Sequence, residues 1–192
     1  MKLRKLFFGL LIFAIVVSSL TAINSLTAGK EAENKMLIVF YSHTGNAKFV
    51  AEHIQALTGA DVFELIPVDP YPEDVDATIV RAGEERESGR LPSLVGSIEN
   101  LADYDVIFLG SPNWFGTLSL PVQSFLKTYD LSGKTVVPFI SFGGGGLMNT
   151  ITDLKTLIPN ATILEAFSVS RDDVKNSQAD ITQWLEKTGI HK

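Results

Sequence analysis

Five apolar runs of strand length, continuous rather than alternating, recur along the chain from residue 36 onward: 36–41 (MLIVFY), 62–66, 106–109 (VIFL), 136–140 (VVPFI) and 162–167. A strand wet on one face alternates polar and apolar residues, so these runs predict strands buried on both faces. Between them lie segments with helical spacing. Val50, Ile54 and Leu57 form one stripe; Val122, Phe125, Leu126 and Tyr129 a second; Ile151, Leu154, Leu157 and Ile158 a third; Ile181, Trp184 and Leu185 a fourth. Gly59 closes the first helix, Pro121 opens the second, and Pro159 with Asn160 stops the third. A less regular helix is predicted over 74–88. Strands that alternate with helices in this way pack as a parallel sheet covered on both faces, a three-layer αβα sandwich of the α/β class. Pro138, inside the fourth run, requires a bulge or a position whose N–H makes no ladder bond.

The segment ahead of this pattern reads differently. Lys2, Arg4 and Lys5 precede an apolar run over 6–17, diluted afterwards by Ser18, Ser19, Thr21 and Asn24. The expectation is a secretory signal or an uncleaved membrane anchor over 1–28, a linker over 29–35, and one domain over 36–192. The run is shorter than the ~20 apolar residues that span a bilayer comfortably, yet Leu20 and Leu26 occupy the −3 positions before Ala22 and Ala28, so no clean cleavage site is present. The domain is accordingly expected to be exported or anchored facing outside, touching the membrane only through this segment. Without residues 1–28 the 16 basic residues fall to 13 against 22 acidic, a balance that repels nucleic acid. The chain has no cysteine, which excludes disulfides, thiolate metal sites and cysteine nucleophiles. His53 and His191 have no metal-site company, and no metal site is expected.

Ligands of such sheets bind at the carboxyl ends of the strands, where strand order reverses. Three loops lie there. In the first, Ser42, His43, Thr44, Gly45, Asn46 and Ala47 run straight into the Val50/Ile54 helix. Free N–H groups of a helix's first turn attract an anion, and Ser42 and Thr44 add hydroxyls, which suits a terminal phosphate held by neutral donors. Thr44 or Asn46 acting only as a helix cap fits the spacing equally well, and His43 reads as a phosphate ligand or as an exposed loop residue. The second loop, 111–117, carries Pro112, Asn113, Trp114, Phe115 and Gly116; its adjacent aromatics could stack on a planar ring or belong to the core. The third, 141–147, holds Gly143, Gly144, Gly145 and Gly146, where main chain can lie against a flat ligand or simply flex. Two nucleotide motifs fail on register: a G-x-G-x-x-G begun at Gly143 meets Met148, and a P-loop ending Gly133-Lys134-Thr135 has Thr128 in place of its first glycine.

Taken together the loops resemble the flavodoxin family. MLIVFYSHTGNAKFVAE is similar to its first strand, phosphate loop and first helix, with Ser42, Thr44, Gly45 and Asn46 meeting the pattern S/T-x-T-G-N. YDVIFLGSPNWFGTLSLPVQSFL resembles the third strand and flavin loop of a branch with a W-W-G or W-F-G triplet, and VVPFISFGGGG resembles its fourth strand and glycine loop. The resemblance implies a five-stranded sheet of order 2-1-3-4-5 and non-covalently bound FMN. It would place Ser42, His43, Thr44, Gly45, Asn46 and Ala47 around the phosphate. Pro112, Asn113, Trp114, Phe115 and Gly116 would line the ribityl chain and ring, and Phe142, Gly143 and Gly144 would close the other side. Ala47 departs from the hydroxyl residue common there, and the glycine run lacks the ring-covering tyrosine and acidic cluster of electron-carrying flavodoxins. No catalytic side chain is expected, since the flavin supplies the chemistry. The leading expectation is electron transfer through FMN to a redox partner protein. The alternatives are an NAD(P)H- or quinone-linked flavin oxidoreductase and a flavin-binding module without redox work. Removal of either aromatic, Trp114 or Phe115, is expected to alter flavin affinity more than stability.

Overall fold

The computed structural model describes residues 34–190, and the expected signal or anchor lies outside them. Strand β1 spans Met36–Phe40 and leads into α1, Asn46–Thr58. After β2 (Asp61–Glu64) comes α2 (Val75–Glu87), whose N-cap Asp74 accepts a hydrogen bond from the Ala77 N–H at 2.8 Å. Strand β3 (Val106–Trp114) and the two-residue β4 (Thr117–Leu118) precede α3, Leu120–Thr128. Then follow β5 (Thr135–Phe142), α4 (Thr150–Leu157), β6 (Thr162–Ile163), β7 (Phe167–Ser170) and α5 (Gln178–Thr188). Among the described residues no helix is long and apolar enough to cross a membrane.

The parallel sheet runs β2-β1-β3-β5, with β6 and β7 both pairing β5 along its far side. Its five positions reproduce the order 2-1-3-4-5, but there are seven strands, because the run 162–167 is broken and a hairpin strand is added. Pro138 accounts for the break. Leu164 N–H donates to the Val136 carbonyl at 2.9 Å, and the next rung of a parallel ladder would need the N–H of residue 138, which proline lacks. Pairing resumes one residue out of step, from Val136↔Ile163 to Phe139↔Phe167, so a bulge sits opposite the proline.

Alternate residues of the central strands feed two cores, as continuous apolar runs require. Leu37, Val39, Ile107, Leu109, Val136 and Ile140 face α2, α3 and α4, meeting Ala82, Phe125 and Leu154. Ile38, Phe40, Phe108, Val137 and Phe139 face α1 and α5, meeting Val50, Ile54, Ile181 and Trp184. The helices therefore change sides between the β1–β2 and β2–β3 connections, and the switch point lies between β1 and β3. Strand β2 departs from the expectation of burial on both faces. It is an edge strand, Val62 stays 42% exposed, and Ile66 beyond its end stays 50% exposed.

Gly110, in the middle of β3, sits between Phe40 of β1 and Phe139 of β5 on the same face. A Cβ there would overlap Cζ and Cε2 at the edge of the Phe139 ring and lie 2.6 Å from the Phe40 Cβ. Gly110→Ala is expected to destabilise the domain by about 1–3 kcal/mol through overpacking, read as a lower urea midpoint at unchanged slope.

Candidate functional site

The loop after β1 leaves the sheet at the switch point and turns into α1 through Gly45, which caps the helix at φ 85°. That conformation favours glycine, and the space beside it is open, with nothing within 4 Å of a would-be Cβ. The backbone N–H groups of Thr44, Gly45, Asn46 and Ala47 find no acceptor among the described residues. Lys48 N–H is satisfied by the Ser42 hydroxyl oxygen at 3.2 Å, which leaves the hydroxyl's own proton free to donate. The Ala47 side chain is buried in the α1 core, so only its main chain faces the loop. The Lys48 ammonium is bound to Glu64 at 3.0 Å, away from the loop. What remains is a concave set of neutral donors at a helix N-terminus, a ready anion site.

The segment 111–117, expected as a loop, is mostly strand. Ser111 and Pro112 continue the ladder with β5, and Asn113 and Trp114 pair Leu118 and Thr117 across a two-residue turn. The turn residues Phe115 and Gly116 have φ of 53° and 82°. Positive φ at both central positions is the requirement of a type I′ hairpin turn. Phenylalanine is a strained choice there, and its ring stays 42% exposed, with the Arg86 guanidinium 5.4 Å above it. Phe142, also expected in a loop, ends β5 by pairing Ser170 of β7. Asn113 ties the hairpin to the glycine loop, donating its side-chain N–H groups to the Gly146 and Leu147 carbonyls at 2.7 and 3.1 Å. Asn149 N–H adds a third tie, to the Gly116 carbonyl at 2.9 Å.

These pieces enclose one cavity of about 460 Å³, a size usual for small-molecule sites. Of the expected residues, His43, Thr44, Asn46, Pro112, Asn113, Trp114, Phe115, Phe142 and Gly143 line it; Ser42, Gly45, Ala47, Gly116 and Gly144 stand behind or beside it. The sequence reading missed one wall, Val75, Thr78, Ile79 and Ala82 of α2, and missed Ser141 and Arg171. The i, i+3, i+4, i+7 spacing of that α2 stripe was visible, although nothing marked it as facing a cavity instead of the core. Arg171 belongs to no local motif; only the sheet brings it beside Phe142.

Trp114 is half-buried and meets the edges of three rings: Tyr71 at 5.0 Å, Tyr41 at 5.5 Å and His43 at 6.2 Å between centroids. Burial pushes the Tyr41 hydroxyl up to about 12, against the opposing pull of Arg81. Tyr71 is pushed up further by burial and by the hydrogen bond it donates to Glu85. Arg81 stacks 4.5 Å above Tyr71 and pairs with Glu85 at 3.1 Å and Asp69 at 3.0 Å, which locks α2 against the cavity's floor. Burial holds His43 below the ordinary histidine value, so its imidazole is neutral at pH 7. Its Nε2 is buried at the cavity without a hydrogen-bond partner. An orphan of that kind asks for a ligand atom. Among the described residues no acidic or histidine cluster is arranged to hold a metal.

A flavodoxin family model matches residues 35–188, which take in all three loops. The chain belongs to the flavodoxin family. FMN is the cofactor of flavodoxins, and the residues present fit it: neutral donors for a phosphate, aromatic and main-chain surfaces for a flat ring, and an unpartnered imidazole nitrogen between them. Solved structures of two proteins assigned as flavoproteins share the fold at TM-score 0.71. The one from Bacteroides eggerthii is 29% identical, over 81% of this chain and 98% of its own. The one from Bacteroides uniformis is 25% identical, over 80% and 98%. A Lactobacillus acidophilus flavoprotein solved in complex with FMN has the same fold at TM-score 0.63 and 21% identity, over 79% and 98%. A curated relative named NAD(P)H dehydrogenase (quinone), from Cupriavidus metallidurans, is 33% identical over 96 residues, 48% of this chain. The match spans 45% of that relative's length.

Proposed function

We propose that this flavodoxin-family chain transfers electrons through non-covalently bound FMN. The observation that carries the reading is a single cavity joining the unsatisfied N–H groups of the α1 entrance to the Trp114–Phe115 hairpin. Thr44, Gly45, Asn46 and Ala47 would bind the phosphate through main-chain N–H groups, helped by the Thr44 and Ser42 hydroxyls. Neutral His43 would offer its Nε2 as a hydrogen-bonding partner. Trp114 and Phe115 would orient the ring and keep water from one face, with Phe142 and Gly143 opposite. Bound FMN supplies reversible one- and two-electron chemistry; the chain contributes position and polarity. The acidic surface would steer a basic protein partner.

A second reading, an NAD(P)H- or quinone-linked oxidoreductase, draws on the cavity's mouth. Val75 and Ile79 on α2 are about half exposed there, as is Phe115, leaving an apolar rim that admits a small planar substrate. The name of the Cupriavidus relative agrees with it. In the same proposal the segment over 1–28 exports or anchors the domain, which cell fractionation checks.

A visible spectrum after incubation with FMN, followed by anaerobic reductive titration, tests the reading. Uptake of one FMN that then bleaches on reduction supports it. No uptake refutes it, and a bound flavin that no donor reduces leaves only a storage module. Steady NAD(P)H consumption with a quinone favours the second reading over the first.

A further inference from the structure

We propose that Arg171 sets the reduction potential of the cofactor in this cavity, by holding a positive charge at its glycine-loop end; the inference rests on the FMN reading above. Arg171 follows β7 directly. Its N–H donates to the Phe142 carbonyl at 2.8 Å, continuing the Ser170↔Phe142 register, so its backbone is fixed beside the end of β5. The turn after it is closed by the Ser170 hydroxyl on Asp173 Oδ2 at 2.6 Å. From there the guanidinium reaches Gly143, with Nη1 3.8 Å from where a Cβ on that glycine would lie, and the side chain lines the cavity.

The charge is available. Asp172 stands 3.7 Å from Arg171 Nε in a pair whose side chains are 66% and 81% exposed, too wet to neutralise it, and Asp173, which keeps its charge while accepting from the Ser170 hydroxyl, makes no ion pair with Arg171 among the described residues. Of the other cations near the cavity, Lys48 pairs with Glu64 and Arg81 with Asp69 and Glu85, while Arg86 lies 5.4 Å above the Phe115 ring at the hairpin and not at the glycine loop. A hydride delivers two electrons and one proton to a neutral isoalloxazine, its donor leaving in the two-electron-oxidised form, and the ring keeps one negative charge. A cation beside the ring binds that product more tightly than the oxidised form. An arginine there makes reduction easier and suits acceptance of a hydride.

The test is the midpoint potential of FMN bound to the protein and to Arg171→Gln and Arg171→Lys, with dissociation constants for oxidised FMN and riboflavin. Arg171→Gln is expected to reduce the preference for reduced over oxidised FMN about tenfold, a fall of about 30 mV for a two-electron couple. Its shift shrinks in ~1 M salt, where the screening length is ~3 Å. Arg171→Lys keeps the potential, and oxidised FMN binds all three proteins about equally. A change of less than about twofold in that preference, ~9 mV, overturns the proposal. So does a selective loss of FMN over riboflavin affinity, which would put the guanidinium on the phosphate. No FMN uptake by the unaltered protein would remove the underlying reading together with this one; uptake with an unshifted potential removes this one alone.

Discussion

Gly45→Asp is expected to weaken FMN binding by about a hundredfold while the domain stays folded. Two effects must be separated. The residue caps α1 at φ 85° with open space around it, so a side chain meets no clash and only the left-handed backbone is strained. Aspartate and asparagine tolerate that conformation better than other residues, at about 1 kcal/mol. The second effect is charge. A carboxylate ~5 Å from a phosphate charge, at an effective dielectric of ~20, is repelled by about 3 kcal/mol, and 1.4 kcal/mol is tenfold in affinity. Gly45→Asn carries the strain without the charge. It should lose about 1 kcal/mol of stability, as the aspartate does, and keep FMN affinity within about tenfold. Fluorescence titration of both variants with FMN and riboflavin checks this. The carboxylate should penalise FMN far more than riboflavin, and equal losses for the two flavins would remove the phosphate from this loop.

What could be read from the chain followed from how local its cause was. The central strands announce themselves because burial on two faces leaves no polar positions, and β1, β3 and β5 alternate between the two cores as that predicts. The same rule fails for β2, since position at the sheet's edge is not written in Asp61–Glu64. Residues 111–114 read as a loop because the turn beyond them is Phe115-Gly116, without the Asn-Gly or Asp-Gly signature by which type I′ hairpins are recognised. The donor-rich loop at the α1 entrance was legible because its free N–H groups and hydroxyls lie within six consecutive residues. Arg171 and the α2 wall were not, because what brings them to the cavity is the pairing of β7 with β5 and the packing of α2 over the sheet, and neither leaves a local mark.

The hairpin's two aromatics, alike in sequence, should part company on mutation. Trp114→Ala removes a half-buried indole from the edges of Tyr41, Tyr71 and His43, where it packs against the core under α2. A loss of about 3 kcal/mol in stability is expected, at the lower end for large aromatic truncations because the ring is only partly enclosed. On this packing the larger effect of Trp114→Ala is expected on stability, and the larger effect of altering Phe115 on the flavin. The Phe115 ring is 42% exposed and its backbone, at φ 53°, is in a region phenylalanine avoids. Phe115→Gly relieves strain of about 1 kcal/mol as it removes the ring, so stability should hold or rise. FMN affinity should still fall, by the ~0.5–1.5 kcal/mol that an aromatic contact contributes. Urea unfolding of the flavin-free proteins and FMN titration, run on both variants, give four numbers. Their pattern distinguishes a platform from a prop: a ring whose loss moves only the titration is a contact for the cofactor, whereas one whose loss moves both holds the cavity's floor as well. Should Phe115→Gly unfold as easily as Trp114→Ala, the hairpin tip is supporting the fold through α2, where Gly83 and Arg86 meet its ring, and the apolar rim loses its role in admitting a substrate.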